Sequence, residues 1–147
     1  MTHSLEILLV EDNEGDVEII QGALEEEATP CNLSVAKNGR EALDRLFKHG
    51  KFQKLATPQL IFLDLNMPGM DGNTLLKILK EHERFNTIPV VVLTSSKAPS
   101  DIRDAYAHHA NCYVVKPFGG KEFQDAIRQI VHFWRNLVLL PHVAENE

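Results

Sequence analysis

Residues 61–72 read IFLDLNMPGMDG, an apolar run that ends in Asp64 and then turns through Pro68 and Gly69. Apolar side chains at successive positions describe a strand covered on both faces, as in a parallel sheet between helical layers. The carboxylate of Asp64 therefore emerges where the strand ends. There it must be solvated, paired or bound to metal.

Four further runs share this character: LEILLV (5–10), LSVA (33–36), PVVVLT (89–94) and CYVV (112–115), with LIFLDL (60–65) as the third in order. Segments of helical period lie between them. Val17, Ile20, Ala23 and Leu24 fall on one helical face, as do Leu75, Leu76 and Leu79, and Ile102, Ala105 and Tyr106. Asp71 or Asn73 opens one helix, and Pro99, Ser100 and Asp101 suit the first turn of another. The segment 47–59 is expected to be a helix end followed by a polar loop. Five β-α repeats with right-handed crossovers give a doubly wound α/β fold, a (βα)5 parallel five-stranded sheet of flavodoxin-like order 2-1-3-4-5. Ligands of such sheets bind beyond the carboxyl ends of the strands.

That edge collects Glu11 and Asp12 after strand 1, Asp64 after strand 3, Thr94 after strand 4 and Lys116 after strand 5. Three crowded carboxylates raise one another's pKa unless a cation sits among them, and an all-oxygen set suits Mg²⁺. A carboxylate beside Mg²⁺ and a fixed lysine can attack phosphorus, with Mg²⁺, Lys116 and Thr94 holding the equatorial oxygens. Asp64, on the middle strand, is the natural acceptor. A lone strand-end Asp12 would cap the first helix, but the convergence at this edge assigns Asp12 and Asp64 to a site instead, and Tyr113 taken alone fits a core role. His108 and His109, adjacent on a helix, point about 100° apart and do not chelate.

Together LLVEDN, DLNMPGMDG, VVLTSS and YVVKPF resemble the receiver domain of two-component response regulators, over residues 5 to about 135. The resemblance implies that Asp64 is the phosphoacceptor and that Asp12 and Asp64 bind Mg²⁺ directly. It adds the Asn66 carbonyl as a further ligand and has Glu11 act mainly through water. Lys116 would pair with the phosphoryl group, Thr94 would swing its hydroxyl toward it, and Tyr113 would turn inward. It also implies a cis Lys116–Pro117 bond. Asn66 stands where such proteins tune hydrolysis of the phosphate. Ser95 is small, as phosphoryl access requires, and the connection before strand 3 is longer than usual.

The chain has 147 residues, 44% of them apolar and 24% charged, which fits one domain, residues 1–147, with its core in 5–135. No apolar run reaches the roughly 20 residues of a membrane span. The acidic N-terminal stretch is unlike a signal peptide, so a cytoplasmic address is expected. Cys31 and Cys112 share no motif and fit reduced thiols. A net charge of −6 without a Lys/Arg stripe argues against a nucleic-acid surface.

Phe123, Ala126, Ile127, Ile130, Val131 and Trp134 form a stripe that seats the last helix on the sheet. The segment 132–141 then adds more apolar residues than one stripe buries: Phe133, Leu137, Val138, Leu139 and Leu140. Either this tail forms an interface, with Phe133, Trp134, Leu137, Val138 and Leu140 as its contacts, or it folds back on its own core. The longer loop and the FW…LP ending resemble the small single-domain response regulators of bacterial and cyanobacterial phytochromes. That narrower resemblance implies a homodimer and a phytochrome-type sensor histidine kinase as phosphodonor.

Three function classes remain. One is a phosphorylation-controlled switch that is not an enzyme beyond its own phosphorylation and dephosphorylation. Another is a Mg²⁺-dependent phosphohydrolase with an aspartyl nucleophile, which needs a second acid where this chain has Asn66. The last is a constitutive protein-binding receiver module.

Overall fold

In a computed structural model, which describes residues 4–141, five parallel strands lie in the order β2-β1-β3-β4-β5. They are β1 (Leu5–Val10), β2 (Cys31–Ala36), β3 (Leu60–Leu63), β4 (Val90–Thr94) and β5 (Cys112–Val115). The helices are α1 (Glu14–Glu25), α2 (Gly39–Leu46), α3 (Gly72–Glu81), α4 (Pro99–Ala107) and α5 (Gly120–His132). Both the expected doubly wound class and the strand order are observed.

Alternation along the three central strands explains why their runs are apolar at successive positions. Leu8, Val10, Ile61, Leu63, Val90 and Val92 face α2, α3 and α4, packing on Ala42, Leu46, Leu75, Leu76, Leu79 and Ala105. Their neighbours Ile7, Leu9, Leu60, Phe62, Val91 and Leu93 face α1 and α5, packing on Ile20, Ala23, Leu24, Phe123, Ile127 and Val131. Each strand residue thus removes apolar surface from water on one side or the other, at about 25 cal/mol per Å². Side-chain caps fix where two site-flanking helices begin. Asn13, rather than Asp12, caps α1 by accepting from the Asp16 N–H at 2.9 Å, and Asp71 caps α3 through the Thr74 N–H at 2.8 Å.

Several boundaries and contacts differ from expectation. β2 begins at Cys31, and β3 stops at Leu63 because its ladder with β1 ends at Val10. The chain then doubles back, with the Gly72 N–H donating to the Leu65 carbonyl at 3.0 Å and Leu65 and Met67 tucked into the core. The 47–59 connection is more than a polar loop. Gly50–Phe52 form a 3₁₀ turn, the Arg45 guanidinium lies 4.5 Å from the Phe52 ring centroid, and Thr57 and Pro58 are buried. Tyr106 is exposed although Ala105 beside it is buried. The Lys116–Pro117 bond is trans, since the described residues contain no cis peptide. Trans is also the lower-energy isomer of an X–Pro bond, by about 0.5–1 kcal/mol.

Beyond α5 the chain winds one π-helical turn, Phe133–Leu137, closed by the Val138 N–H donating to the Phe133 carbonyl at 3.2 Å. Trp134 and Leu140 pack on the α1/α5 core, so for these two the fold-back alternative holds. Phe133, Leu137 and Leu139 are 49%, 79% and 98% exposed. No described helix is long and apolar enough to cross a membrane.

Candidate functional site: an acid cluster at the carboxyl edge

Glu11, Asp64 and Lys116 each sit one step past a strand and Thr94 at the last position of β4, and the sheet's own hydrogen bonds hold them there. The backbone N–H of Glu11 donates to Ala36 O at 2.9 Å, that of Asp64 to Val10 O at 3.0 Å, and that of Lys116 to Thr94 O at 2.8 Å. Glu11 is 1% exposed, Asp64 6% and Thr94 0%, whereas Asp12 stands in solvent at the rim.

The Lys116 ammonium ties the cluster together. Its Nζ lies 2.6 Å from Glu11 Oε1, 2.8 Å from Asp16 Oδ2 and 3.5 Å from Asp64 Oδ2. Burial opposes its charge, but hydrogen bonds to Asp16 and Glu11 and the charges of Glu11 and Asp64 outweigh burial. The lysine pKa is held above its ordinary range. Glu11 is displaced the other way: burial first, then the hydrogen bond and charge of Asp64, push its pKa up to about 7 against the pull of Lys116.

Backbone and amide groups complete the shell. Asn13 N–H donates to Glu11 Oε2 at 3.2 Å and Asn66 N–H to Asp64 Oδ1 at 3.2 Å, while the Asn66 amide reaches Thr94 Oγ1 at 3.3 Å. Tyr113 does not join the cluster. Its ring packs on the α2–α4 core and its hydroxyl donates to the Ser96 carbonyl at 2.9 Å, in the loop that follows Thr94. Asp16 is the site residue that sequence reasoning missed. An acid in the first turn of a helix is already explained by the helix dipole, and nothing in the spacing ties it to a lysine 100 residues away.

Glu11, Asp12 and Asp64 each offer a carboxylate oxygen, all within 4.8 Å of one another. Oxygen donors alone, with no imidazole or thiolate among them, fit a hard divalent cation such as Mg²⁺. Glu11 Oε1 is already engaged by Lys116, which leaves Asp12 and Asp64 as the more available pair. A bound Mg²⁺ would supply positive charge against the three carboxylates and against an incoming phosphoryl group.

The raised Glu11 pKa makes the benefit of metal pH-dependent. A carboxyl with a folded pKa of about 7 against an ordinary value of 4.5 binds its proton more tightly when folded. Its protonation therefore favours the metal-free fold fully below the ordinary value, and that advantage is lost as the pH rises through about 7. The Mg²⁺-induced rise in melting temperature is accordingly expected to be small on the acidic side of this window and large on its alkaline side. Scanning calorimetry across the window checks it, and an equal rise throughout would count against metal at this cluster.

Comparisons with known proteins agree with the geometry. The family model for the response regulator receiver domain matches residues 7–128. The chain is 37% identical over 129 residues to a probable methanogenesis regulatory protein, FilR2, of Methanothrix harundinacea, covering 87% of this chain and 82% of that one. It is 36% identical over 135 residues to the response regulator Rcp1 of a Synechocystis strain, with 92% of each chain covered. Among solved structures, the phosphorylated cyanobacterial phytochrome response regulator RcpA superposes with a TM-score of 0.91 at 35% identity, covering 95% of this chain and all of that one. The Mn²⁺-bound form of Rcp1 superposes with a TM-score of 0.88, covering 94% and 99%. With its strand order, its edge of acids and this match over most of its length, the chain belongs to the response regulator receiver domain family.

Proposed function

We propose that this protein is a phosphorylation-controlled switch in a two-component phosphorelay, with Asp64 as the phosphoacceptor. A carboxylate oxygen of Asp64 attacks the phosphorus of a phosphohistidine on a sensor kinase. The new O–P bond forms as the P–N bond breaks, and the departing imidazole nitrogen takes the electron pair and then a proton. Lys116 faces the charge that builds on the phosphoryl oxygens, and Thr94 Oγ1, buried beside the acceptor, is the hydroxyl that reports it to Ser96 and Tyr113. The observation that carries this reading is one ammonium shared between two buried strand-edge carboxylates, Glu11 and Asp64, and the half-buried Asp16, a cluster that burial alone disfavours.

The rest of the reading has narrower support. A phytochrome-type kinase as donor draws on the likeness to RcpA, and mutual coverage with Rcp1 supports a single-domain regulator whose output passes through protein contacts. A homodimer would use the exposed Phe133 and Leu137, with Val138 beside them and Trp134 and Leu140 as the base on which the turn rests. Neither nucleic acid nor membrane is required for that output. A cytoplasmic location agrees with the free thiols of Cys31 and Cys112. The Asn66 carboxamide is far too weak an acid to protonate a leaving group, which favours a phosphoacceptor over a phosphoester hydrolase.

Incubation with a radiolabelled small-molecule phosphodonor and Mg²⁺ tests the assignment. Wild-type protein is expected to take up label in a base-labile bond, and Asp64→Asn to take up none. Undiminished labelling of Asp64→Asn would sink it.

A further inference from the structure

Lys116 makes its two short contacts with Glu11 and Asp16, while its contact with Asp64 is the longest of the three, at 3.5 Å. Asp16 differs from the other acids around it. It comes from the first turn of α1 and not from a strand end, and it lies outside the trio whose oxygens converge for a cation. We infer that Asp16 is a positioning residue that holds Lys116 back from Asp64 in the unphosphorylated protein, so that releasing this ion pair is one step of the switch.

The inference rests on Asp64 as phosphoacceptor. A phosphoryl group there presents strong acceptor oxygens and about two negative charges. An ammonium has three N–H donors, and in this geometry two are committed to short bonds. Turning toward the phosphoryl group means lengthening the Asp16 bond, which is the less buried of the two: the Asp16 side chain is 24% exposed and that of Glu11 1%. Water can satisfy Asp16 once it is released, but it cannot easily satisfy Glu11. Breaking the Asp16 pair also unpins the first turn of α1 from β5, so α1 is an element through which phosphorylation is felt.

Binding of beryllofluoride, a phosphoryl mimic, to the full chain at saturating Mg²⁺, measured by titration calorimetry, tests this. Asp16→Asn is expected to bind roughly threefold to tenfold tighter than wild type, the scale of a partly exposed charge-assisted bond. Asp16→Glu, which restores a carboxylate in the same turn, is expected to return toward the wild-type value. Glu14→Gln removes a like charge from the same first turn of α1, and Glu14 has no ion pair among the described residues, so little change is expected. A purely structural role would lower the melting temperature of Asp16→Asn and leave its affinity unchanged or weaker. That result, or an equal gain in Glu14→Gln or Asp16→Glu, overturns the inference while leaving Asp64 as acceptor. Failure of the wild-type protein to bind the mimic overturns both.

Discussion

Lys116→Met, without Mg²⁺ and on the alkaline side of the Glu11 transition at about pH 7, is expected to lose on the order of 3 kcal/mol of folding stability in urea denaturation. Methionine keeps the length and the apolar stem, so packing changes little. What is lost is the ammonium that lies between Glu11, Asp16 and Asp64. Glu11 and Asp64 remain buried, and among the described residues the donors left to them are the backbone N–H groups of Asn13 and Asn66. Two predictions accompany the loss. It should shrink on the acidic side of the window, where Glu11 takes up a proton, and Mg²⁺ should restore part of it by supplying another cation. Equal stability of mutant and wild type at both ends of the window would mean that the ion network does not hold the metal-free site.

Gly72→Ala is expected to damage fold and site together. A Cβ at Gly72 would stand 2.5 Å from the Asp64 carbonyl oxygen and 2.6 Å from Leu65 Cα. Both are backbone atoms of the segment that carries the acceptor, and no rotamer change can relieve the clash. The β3–α3 turn must open, at a cost of about 3 kcal/mol or more. Asp64 moves with it, so Mg²⁺ affinity should fall in the same variant. Gly120→Ala is the control, because a Cβ there meets nothing within 4 Å and the position is the first of α5, with no positive φ that an alanine would strain. Thermal melts and Mg²⁺ titrations of the two variants should diverge sharply. Similar behaviour would show that the close approach at Gly72 does not position Asp64.

Much of the fold was legible because strands buried on both faces leave an unmistakable trace. Phe62 and Leu63 point into opposite cores, and neither position could be polar. Glu11, Asp12, Asp64, Thr94 and Lys116 were legible for a related reason. The strand order brings their five chain positions to one edge, so a topological inference did the work of a distance measurement. Asp16 was hidden by an adequate local explanation, the helix dipole.

The C-terminal segment was hidden by a change of period. The stripe ending at Trp134 follows α-helical spacing, but the bond between Val138 and Phe133 spans five residues and shifts the phase. Counting onward by threes and fours therefore cannot separate Leu140, which packs inward, from Leu137 and Leu139, which do not. The 3₁₀ turn at Gly50–Phe52 was hidden because a single turn is too short to show periodicity.

The identity of the phosphorylated atom can be read chemically. Hydride reduction of an acyl phosphate converts an aspartate into homoserine, which peptide mass spectrometry locates by position. After treatment with a phosphodonor and Mg²⁺, homoserine is expected at position 64. Homoserine at Asp12 or another acid, with Asp64 intact, would contradict phosphorylation of Asp64.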